Sequence, residues 1–516
     1  MELLFDEAGK QLTNFHLSQK VKPTRKLTTE DGRPIENKTA LLTAGPRGPA
    51  LLTDHVFIEE NAHFNREMVP DRVVHAKGAG AFGHFKVTHD ISRYTKANIF
   101  SKIGKVTPLA VRFSIVVTNS GTPDSTRDVR GFSIKFYSEE GNWDLVGNNF
   151  PVFWIRDPMQ FPSLIHSLRA NPVTGLRAPD AFWDFASLRP ETMHQLLMVF
   201  SDRGIPQTYR HLNGFGVNTF VLVNKDDESF FCKFHYISNQ GIKNIPVHKV
   251  PMYAAGDPDH ARRDLYNSIA EGKYPSWTMY IQVMTQQQFI ETKAFNPLDD
   301  TKVWPHKDFP LIEVGQIVLD KNPSSFHGEV EQIAFCVANL VPGIEPSMDK
   351  VLQGRAFSYA DTQRYRIGPN FKELPVNSPL SCSSNNYLIM GPMNSKYMQK
   401  DGPAHFPNSY SGPQPDKEKK FFSQKLSTSG LVDRYDDVDD NNFGQPKIFY
   451  EKVLNPDESL RLAANIAENL QHASSTTQNL MLEHLNRVSE DLGQNVKDGL
   501  NTRQRLRQEG KSTTEE

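Results

Sequence analysis

Seven short β-rich segments recur between about residues 70 and 320, and they constrain the fold more than any other feature of the sequence. Several alternate apolar and polar residues, which is typical of antiparallel strands with one buried face. The segments span residues 84–91, 109–118, 130–138, 219–224, 229–238, 277–285 and 311–320. Their number and spacing predict a closed or nearly closed β-barrel.

Helical patterns interrupt and follow these segments. Residues 190–204 predict a helix that begins at a proline and ends at Gly204. Residues 455–473 predict a longer helix with Asn455 as its N-cap. A further amphipathic run spans residues 480–492. The chain therefore combines a β-barrel with a helical C-terminal region.

Three stretches lack any periodicity. Residues 1–60 are polar and punctuated by Pro and Gly, which predicts an extended arm. Residues 370–440 are rich in Asn, Ser, Pro, Gly and Asp, so they are either disordered or wrapped over a folded body. The final two dozen residues are charged, and we expect them to be loose.

Net charge, cysteine spacing and the terminal sequences exclude several classes of partner, site and targeting signal. A formal net charge of −2 over 516 residues gives no global field that attracts nucleic acid or an anionic membrane. Three widely spaced cysteines form neither a disulfide framework nor a zinc motif. The first residues do not resemble a signal peptide, and no run of about 18 apolar residues is present. The C-terminal STTEE lacks the address read by peroxisomal import.

One tyrosine stands between two arginines at helical spacing. Arg355 precedes Tyr359 by four residues and Arg366 follows it by seven, so a helix would place all three on one face. Cations beside a phenol favour its ionised form, and a phenolate is a ligand that suits a ferric ion. An exposed tyrosine flanked by surface arginines is the alternative.

A glycine run at residues 78–83 matches the G-x-G-x-x-G pattern but is followed by a strand pattern instead of a helix. A dinucleotide fingerprint requires that helix, so we interpret the glycines as a close-packed bend. His75 stands just before this bend, beside two valines. Such a histidine is either a satisfied core residue or an acid–base group with partners elsewhere.

Candidate partners occur in the following segments. Arg112 and Ser114 alternate with apolar residues and therefore share one face of a strand. Asn148 precedes an aromatic-rich stretch that we interpret as the start of a strand. With His75, these side chains can bind a small polar substrate, and Phe153 and Phe161 can provide dry walls. A strand serine and a turn asparagine are also common without any function.

The sequence resembles the monofunctional haem catalases, of the small-subunit type found in animals. The resemblance runs from about residue 25 to 475 and rests on motifs in family order. They include DRVVHAKGAGAFG, RFS, RDVRGFSIKFY, DLVGNN, SLRPE, KFHY, YPSW, KVWPHKD, VEQIAF and LQGRAFSYADTQRYRIGPN. The resemblance implies an oxidoreductase of the peroxidase class that converts hydrogen peroxide to water and dioxygen through a ferryl haem intermediate and protects cells from oxidative stress.

The resemblance also implies roles for individual residues. Tyr359 would be the iron ligand of haem b, kept ionised by Arg355. His75 would be the acid–base group, with Asn148 as its partner and Ser114 bonded to it. The residues implied to contact haem are Arg72, Val74, Arg112, Phe153, Phe161, Arg355, Tyr359 and Arg366, the arginines near its propionates. Val116 and Asp128 would line the substrate channel.

The implied fold is α+β. It has an eight-stranded antiparallel β-barrel, an N-terminal arm, a wrapping segment and a C-terminal helical domain, which together form the haem catalase fold. We expect the arm at residues 1–65, the barrel at 66–320, the proximal helix and wrapping segment at 321–440, and the helical domain and tail at 441–516. The arm and the wrapping segment would be ordered in a homotetramer.

The resemblance further implies a surface site for NADPH. The matching positions are His194, Ser201, Arg203, Asn213, Trp304, His306, Gln445 and Phe449. The family has a lysine where Ile237 stands and a tyrosine where Phe215 stands. One phosphate contact is therefore lost, and we expect NADPH binding to be weak or absent.

Other departures lie near the implied haem. Ile115 replaces a threonine, Asn218 replaces a histidine, and Gln363 stands where many members have histidine. Ile115 leaves open a relative that acts on organic hydroperoxides, such as an allene oxide synthase. A third hypothesis is a structural relative that has lost haem. The presence of both Tyr359 and Arg355 argues against it. The family implies a peroxisomal location, whereas STTEE favours the cytoplasm.

Overall fold

The structure of the chain is a computed structural model that describes residues 6–20, 22–117, 119–395, 402–417, 430–435 and 440–509. It separates into two compact units, residues 1–71 and residues 72–516. The STTEE sequence at the C-terminus lies outside the described residues. Within the described residues, none of the helices combines the length and the apolar character needed to cross a membrane.

Among the described residues, ten strands form one antiparallel sheet, and eight of them close into a barrel. The order β7-β5-β4-β3-β2-β1-β9-β8 returns to β7 through a β7–β8 pairing, while β6 and β10 extend from β7. The strands are β1 (Gly78–Val87), β2 (Val106–Ile115), β3 (Arg130–Ser138), β4 (Gly141–Asn148), β5 (Gly214–Phe215), β6 (Phe220–Val223), β7 (Ser229–Ser238), β8 (Ser276–Thr285), β9 (Ile312–Lys321) and β10 (Ile344–Pro346). The closed eight-stranded barrel expected from the resemblance is confirmed.

The sequence located seven of the ten strands, but the segment 84–91 is displaced from β1, and neither β5 nor β10 was predicted. The bounds of β3 and β7 agree with the segments 130–138 and 229–238. Strand β4 was missed, and the expected strand after Asn148 is wrong because Asn148 is the last residue of β4. The aromatic residues that follow it, Phe150, Phe153 and Trp154, lie in a loop instead.

The glycine run at residues 78–83 is part of β1, so its interpretation as a bend is wrong. Its interpretation as close-packed is correct. A Cβ atom at Gly83 would lie 1.9 Å from the carbonyl oxygen of Val318, and one at Gly80 would lie 2.9 Å from Val330. The pairing of β1 with β9 also shifts register between Phe82 and Gly83, so a bulge takes the place of the expected bend.

Thirteen α-helices are present among the described residues. They are α1 (Gln11–Gln19), α2 (His55–Phe64), α3 (Phe161–Leu168), α4 (Pro179–Leu188), α5 (Met193–Phe200), α6 (Val250–Gly256), α7 (His260–Ala270), α8 (Gln286–Glu291), α9 (Lys350–Ile367), α10 (Gly444–Ile448), α11 (Pro456–Leu470), α12 (Ser475–Val488) and α13 (Glu490–Gln508). Short 3₁₀ turns flank α5, so the helix predicted at 190–204 is a chain of three helical pieces.

The C-terminal region is more ordered than the sequence suggested. Asn455 caps α11 in a capping box with Glu458, as predicted. The expectation of a loose tail is wrong for α13, because Leu492, Val496 and Leu500 recur every four residues and are buried. A charged composition hid this narrow apolar stripe.

The aperiodic stretches behave differently from each other. In residues 370–440, the described part contains only one short 3₁₀ turn, Phe371–Glu373, in agreement with the expected irregular segment. The first unit, expected to be an extended arm, contains α1 and α2, and Asp54 caps α2 by accepting a hydrogen bond from the Phe57 amide at 3.2 Å. Neither helix has a buried residue.

Two hydrophobic cores position the site. One fills the barrel with stacked and edge-on aromatic rings, such as Phe136 and Trp143, whose centroids lie 4.6 Å apart. The other joins α3, α4 and α5 to the C-terminal helices. Tyr359 packs against the first core, whereas Val74 and Phe153 pack against the second. The candidate site therefore lies where the barrel meets its helices.

Candidate active site

His75 precedes β1 in a conformation that few side chains adopt. Its φ is +68°, in the left-handed region. Its amide donates to the carbonyl of Val116 at 2.8 Å, and Arg112 donates to the His75 carbonyl at 2.7 Å. Both contacts come from β2 or the residue after it, so the barrel wall holds this backbone conformation in place.

The imidazole of His75 is fixed and uncharged. Its Nδ1 lies 2.8 Å from Oγ of Ser114 on β2. Burial is the main cause that lowers its pKa to about 3, and the guanidinium charges of Arg112, Arg355 and Arg72 lower it further. A histidine that is neutral near pH 7 can accept a proton, so the side chain suits general acid–base chemistry.

Asn148 joins this group through the register of the sheet. Ser114 on β2 and Asn148 on β4 both pair with Gly131 on β3, so these three residues lie side by side across three neighbouring strands and form one rung of the barrel. Directly paired residues project from the same face of a sheet. We call His75, Ser114 and Asn148 the distal group, and the sequence predicted all three members.

Tyr359 lies on α9, where the sequence predicted a helix. Arg355, one turn earlier, donates from Nη2 to the phenol oxygen of Tyr359 at 3.2 Å and to the carbonyl of Val146 at 2.7 Å. The charge of Arg355 also reaches His75 and lowers its pKa, so α9 and the distal group face a common region. The alternative of an exposed tyrosine is wrong, because Tyr359 packs against the barrel core.

Asn218 connects Arg355 to two buried carboxyl groups. Its Oδ1 accepts from Arg355, and its Nδ2 donates to Asp300 and, at 2.9 Å, to Asp349. Burial and the neighbouring Asp349 raise the pKa of Asp300 well above its usual value. We call Tyr359, Arg355, Asn218, Asp300 and Asp349 the proximal group.

Sequence reasoning missed the two aspartates of the proximal group. Asp349 is the N-cap of α9, and its Oδ1 accepts from the Leu352 amide at 3.0 Å. An aspartate one residue before the helix that carries Tyr359 was a readable capping signal. Asp300 stands in the loop between α8 and β9, and no local pattern marks its contact with Asn218.

Buried guanidinium groups surround the same region. Arg112 and Arg366 are both nearly inaccessible, and Arg72 lies 3.6 Å from Glu331. Nε of Arg112 has no hydrogen-bond partner among the described residues. Buried cations require anionic partners, so this cluster fits a ligand that carries carboxylates, as the propionates of haem do. The phenol oxygen of Tyr359 fits the ligand of its iron.

Aromatic walls and a buried acid complete the surroundings. The rings of Phe153 and Phe161 are stacked with centroids 6.3 Å apart, and their role as dry walls stays a prediction. Asp128 accepts from the amides of Val117 and Val129, each at 2.7 Å, and burial raises the pKa of its carboxyl. Ile115 is fully buried in β2.

A cavity of about 710 Å³ lies elsewhere, between the barrel and the C-terminal helices. Seven of the eight residues assigned to an NADPH site line it: His194, Arg203, Asn213, Trp304, His306, Gln445 and Phe449. Ser201 is not among the lining residues, since it is buried and donates to the Met198 carbonyl at 2.7 Å. The structure therefore places all but one of these eight residues around one cavity.

The cavity is less polar than a phosphate site usually is. Ile237 and Phe215, the two departures from the family site noted in the sequence, both line it. Lys233 also lines it, but its Nζ donates to the Val217 carbonyl at 2.6 Å. Burial lowers the pKa of Arg203, and it lowers that of His235 to about 3. Arg203 is therefore the main cation available to an anionic ligand here.

Comparisons with known proteins all find catalases or a catalase-related family. The family described as Catalase matches residues 28–412, and the one described as Catalase-related immune-responsive matches residues 436–500. The chain is 52% identical to the catalase of Rattus norvegicus over 95% of this chain and 93% of that one. It is 51% identical to the catalase of Drosophila melanogaster over 96% of this chain and 98% of that one.

Solved structures show the same fold. A fungal catalase superposes with a TM-score of 0.90 at 39% identity, covering 94% of this chain and 98% of that one. Catalase A from Saccharomyces cerevisiae superposes with a TM-score of 0.90 at 40% identity, covering 93% of this chain and 100% of that one.

Proposed function

The chain belongs to the catalase family, and from this premise we propose that it converts hydrogen peroxide to water and dioxygen with a haem bound between its distal and proximal groups. The observation that carries the proposal is the pairing of a neutral histidine, fixed by Ser114, with a tyrosine whose oxygen accepts a hydrogen bond from Arg355. Buried arginines around both groups support an anionic prosthetic group.

When bound, the haem would supply the two-electron redox chemistry that amino-acid side chains do not perform. Tyr359 would ligate its iron through the phenolate oxygen. Arg355 would keep that oxygen anionic by donating a hydrogen bond at 3.2 Å. Arg72, Arg112 and Arg366 would pair with its propionates, and Val74, Phe153 and Phe161 would contact its faces.

His75 would transfer the proton of the first peroxide. Since its pKa is about 3, it is neutral and accepts the proton from one peroxide oxygen. It would then return that proton to the other oxygen as the O–O bond breaks and water leaves, while the two electrons and a site for the remaining oxygen atom would come from the haem. The nitrogen that accepts this proton is Nε2. Nδ1 must then carry the hydrogen of the neutral ring and donate a hydrogen bond to Oγ of Ser114.

Asn148 would orient the second peroxide. With His75 it holds a substrate that gives up two protons and two electrons and leaves as dioxygen. Phe153 and Phe161 keep the surroundings dry, and Val116 and Asp128 would narrow the access route to small substrates. A narrow route favours hydrogen peroxide over a fatty hydroperoxide.

The absorption spectrum and oxygen release test this proposal together. We expect the purified protein to show a ferric haem spectrum with an oxygen-anion ligand and to release one dioxygen for every two molecules of peroxide. A colourless protein, or iron bound through nitrogen or sulfur, would contradict it. Conversion of a fatty hydroperoxide without oxygen release would favour the allene oxide synthase reading.

We also propose that the 710 Å³ cavity binds NADPH weakly. Arg203 is its main cation for a phosphate, and losing one charge-assisted hydrogen bond costs about tenfold in affinity. Fluorescence titration should show weaker binding for Arg203→Ala, and unchanged binding for Arg461→Ala, whose exposed side chain pairs with Asp202. Equal affinities for all three proteins would contradict the site.

The remaining proposals concern assembly and location. We propose that the haem is haem b, and that residues 1–65 act as an arm, 66–320 as the haem-binding barrel, 321–440 as proximal helix and wrapping segment, and 441–516 as helical domain and tail. The arm and the wrapping segment would make a homotetramer. Light scattering tests the assembly, and cell fractionation separates a peroxisomal from a cytoplasmic location.

A further inference from the structure

Gly131 occupies the centre of the rung that carries the distal group. On β3 it pairs with Ser114 on one side and with Asn148 on the other. Both neighbours have polar side chains on the face that carries the site, whereas Gly131 contributes no side chain there. The distal group is therefore built around an empty side-chain position in a continuous sheet.

The imidazole of His75 fills that empty position. A Cβ atom at Gly131 would lie 2.6 Å from Nδ1 and 2.9 Å from Cε1 of His75, and 2.3 Å from Oγ of Ser114. All three distances are shorter than carbon contacts in a close-packed interior allow. The hydrogen bond between His75 and Ser114 thus runs directly over the backbone of Gly131.

Backbone conformation does not explain this glycine. Gly131 is not among the residues with positive φ, so an alanine could adopt its extended conformation. Glycine within a strand weakens the strand and often marks a close approach of another group. The group that approaches Gly131 is the acid–base histidine and not another backbone segment.

We propose that Gly131 is a positioning residue for His75, and that its missing side chain sets how deeply the imidazole sits in the distal site. A methyl group at this position pushes His75 and Ser114 away from the sheet. The ring then moves toward the space where the substrate is held, and the bond from Nδ1 to Ser114 is broken. This inference rests on the proposed function of His75.

The experiment compares Gly131→Ala with wild type in the haem-loaded enzyme. We expect a rate about 100-fold lower per haem, which is the lower end of what a general acid–base group contributes. Cyanide binding, read from the visible spectrum, should weaken about tenfold because His75 no longer accepts the proton of hydrogen cyanide. Haem content should remain near that of wild type, because the proximal group is untouched.

Gly315→Ala is the matched control. Gly315 is a strand glycine on β9, and a Cβ atom there would lie 2.4 Å from the Lys86 carbonyl and 2.7 Å from the Phe85 ring. This variant should lose thermal stability while keeping its rate per haem and its cyanide affinity. If Gly131→Ala behaves like Gly315→Ala, the role of Gly131 is packing alone and the proposal is overturned.

A double variant covers the case in which Gly131→Ala does not fold. Ser114→Gly removes the nearest colliding atom, so Gly131→Ala has more room in that background. We expect the double variant to be slower than Ser114→Gly alone, since the contact with His75 remains. Equal rates for the two would overturn the proposal. Absence of haem from the wild-type protein would instead refute the proposed function before any variant is compared.

Discussion

The distal and proximal groups solve different physical problems with different secondary structure. The distal group stands on neighbouring barrel strands and relies on space, because His75 fits over a strand position without a side chain. The proximal group stands on one helix and two loops and relies on charge, because Asn218 joins Arg355 to Asp300 and Asp349. Added side-chain volume should therefore disturb the distal group, and altered charge should disturb the proximal group.

The contrast follows from what each side must do. A group that moves protons must be neutral and closely placed, so the barrel wall fixes His75 through main-chain and side-chain contacts. In the proposed function Tyr359 ligates ferric iron and must be held as an anion, so it needs a cation whose own position is fixed. Four variants sharpen this comparison.

Tyr359→Phe should have the largest effect. It removes the phenol oxygen that Arg355 contacts, so we expect loss of haem and a rate lower by more than about 10⁴-fold. Haem per chain and oxygen release are the measurements. Tyr365→Phe, on the exposed side of the same helix, is the control and should match wild type. Full haem content in Tyr359→Phe would contradict the ligand assignment.

His75→Asn should lower the rate by about 10³-fold while leaving haem in place. Asparagine tolerates the positive φ of this position, so the fold should survive. Oxygen release per haem is the measurement, and His84→Asn, at a partly exposed position of β1 beside Asp320, is the control. If His75→Asn lost its haem in proportion to its activity, the two sides would not be separable in function.

Acid should lower the stability of the folded chain through His75 of the distal group. The pKa of His75 is about 3 in the folded chain, whereas an unperturbed histidine has a pKa of 6.5, so between these values the unfolded chain binds a proton that the folded chain does not. Stability therefore falls as the pH decreases from 6.5, by up to about 1.4 kcal/mol per pH unit. Urea unfolding at several pH values should give a shallower acid limb for His75→Asn.

The proximal side should show the opposite pH dependence. The raised pKa of Asp300 means that the folded chain keeps a proton that the unfolded chain loses, so stability falls as the pH rises above 3.8. Asp300→Asn should flatten that part of the same unfolding curve. Identical pH profiles for wild type, His75→Asn and Asp300→Asn would show that neither group controls stability.

Asn218→Ala should have the smallest of these effects. It removes one acceptor of Arg355 and one donor to each of Asp300 and Asp349, which costs about 2 kcal/mol of unfolding free energy. Asn322→Ala, which loses one hydrogen bond to Tyr266, should cost about 1 kcal/mol. Equal losses measured by urea unfolding would mean that Asn218 has no special role in the proximal group.

Much of the fold could be predicted because alternation of apolar and polar residues indicates a strand with one buried face. The bounds of β3 and β7 followed from it, and Asn455 marked the start of α11. β4 was missed because its polar residues obscure the alternation. α13 was missed because its buried stripe is one residue in four within a charged sequence.

The site was readable only in part, since contacts across strands depend on register. His75, Ser114 and Tyr359 were identified through the family resemblance, not from spacing alone. The sequence did not indicate that Asn218 contacts Asp300, because 82 residues separate them and no local pattern links the two. Pairing of Gly131 between two site residues likewise appears only once the sheet order is known.

Asp349 has a consequence for the accuracy with which Tyr359 is aimed. The same carboxylate begins α9 through the Leu352 amide and holds Asn218. An α-helix turns by about 100° per residue, so a start displaced by one residue would swing Tyr359 to another side of the helix axis. Asp349 anchors the first turn of α9 to Asn218, which in turn contacts the arginine that bonds Tyr359. It therefore sets the rotational phase of the helix ten residues before Tyr359.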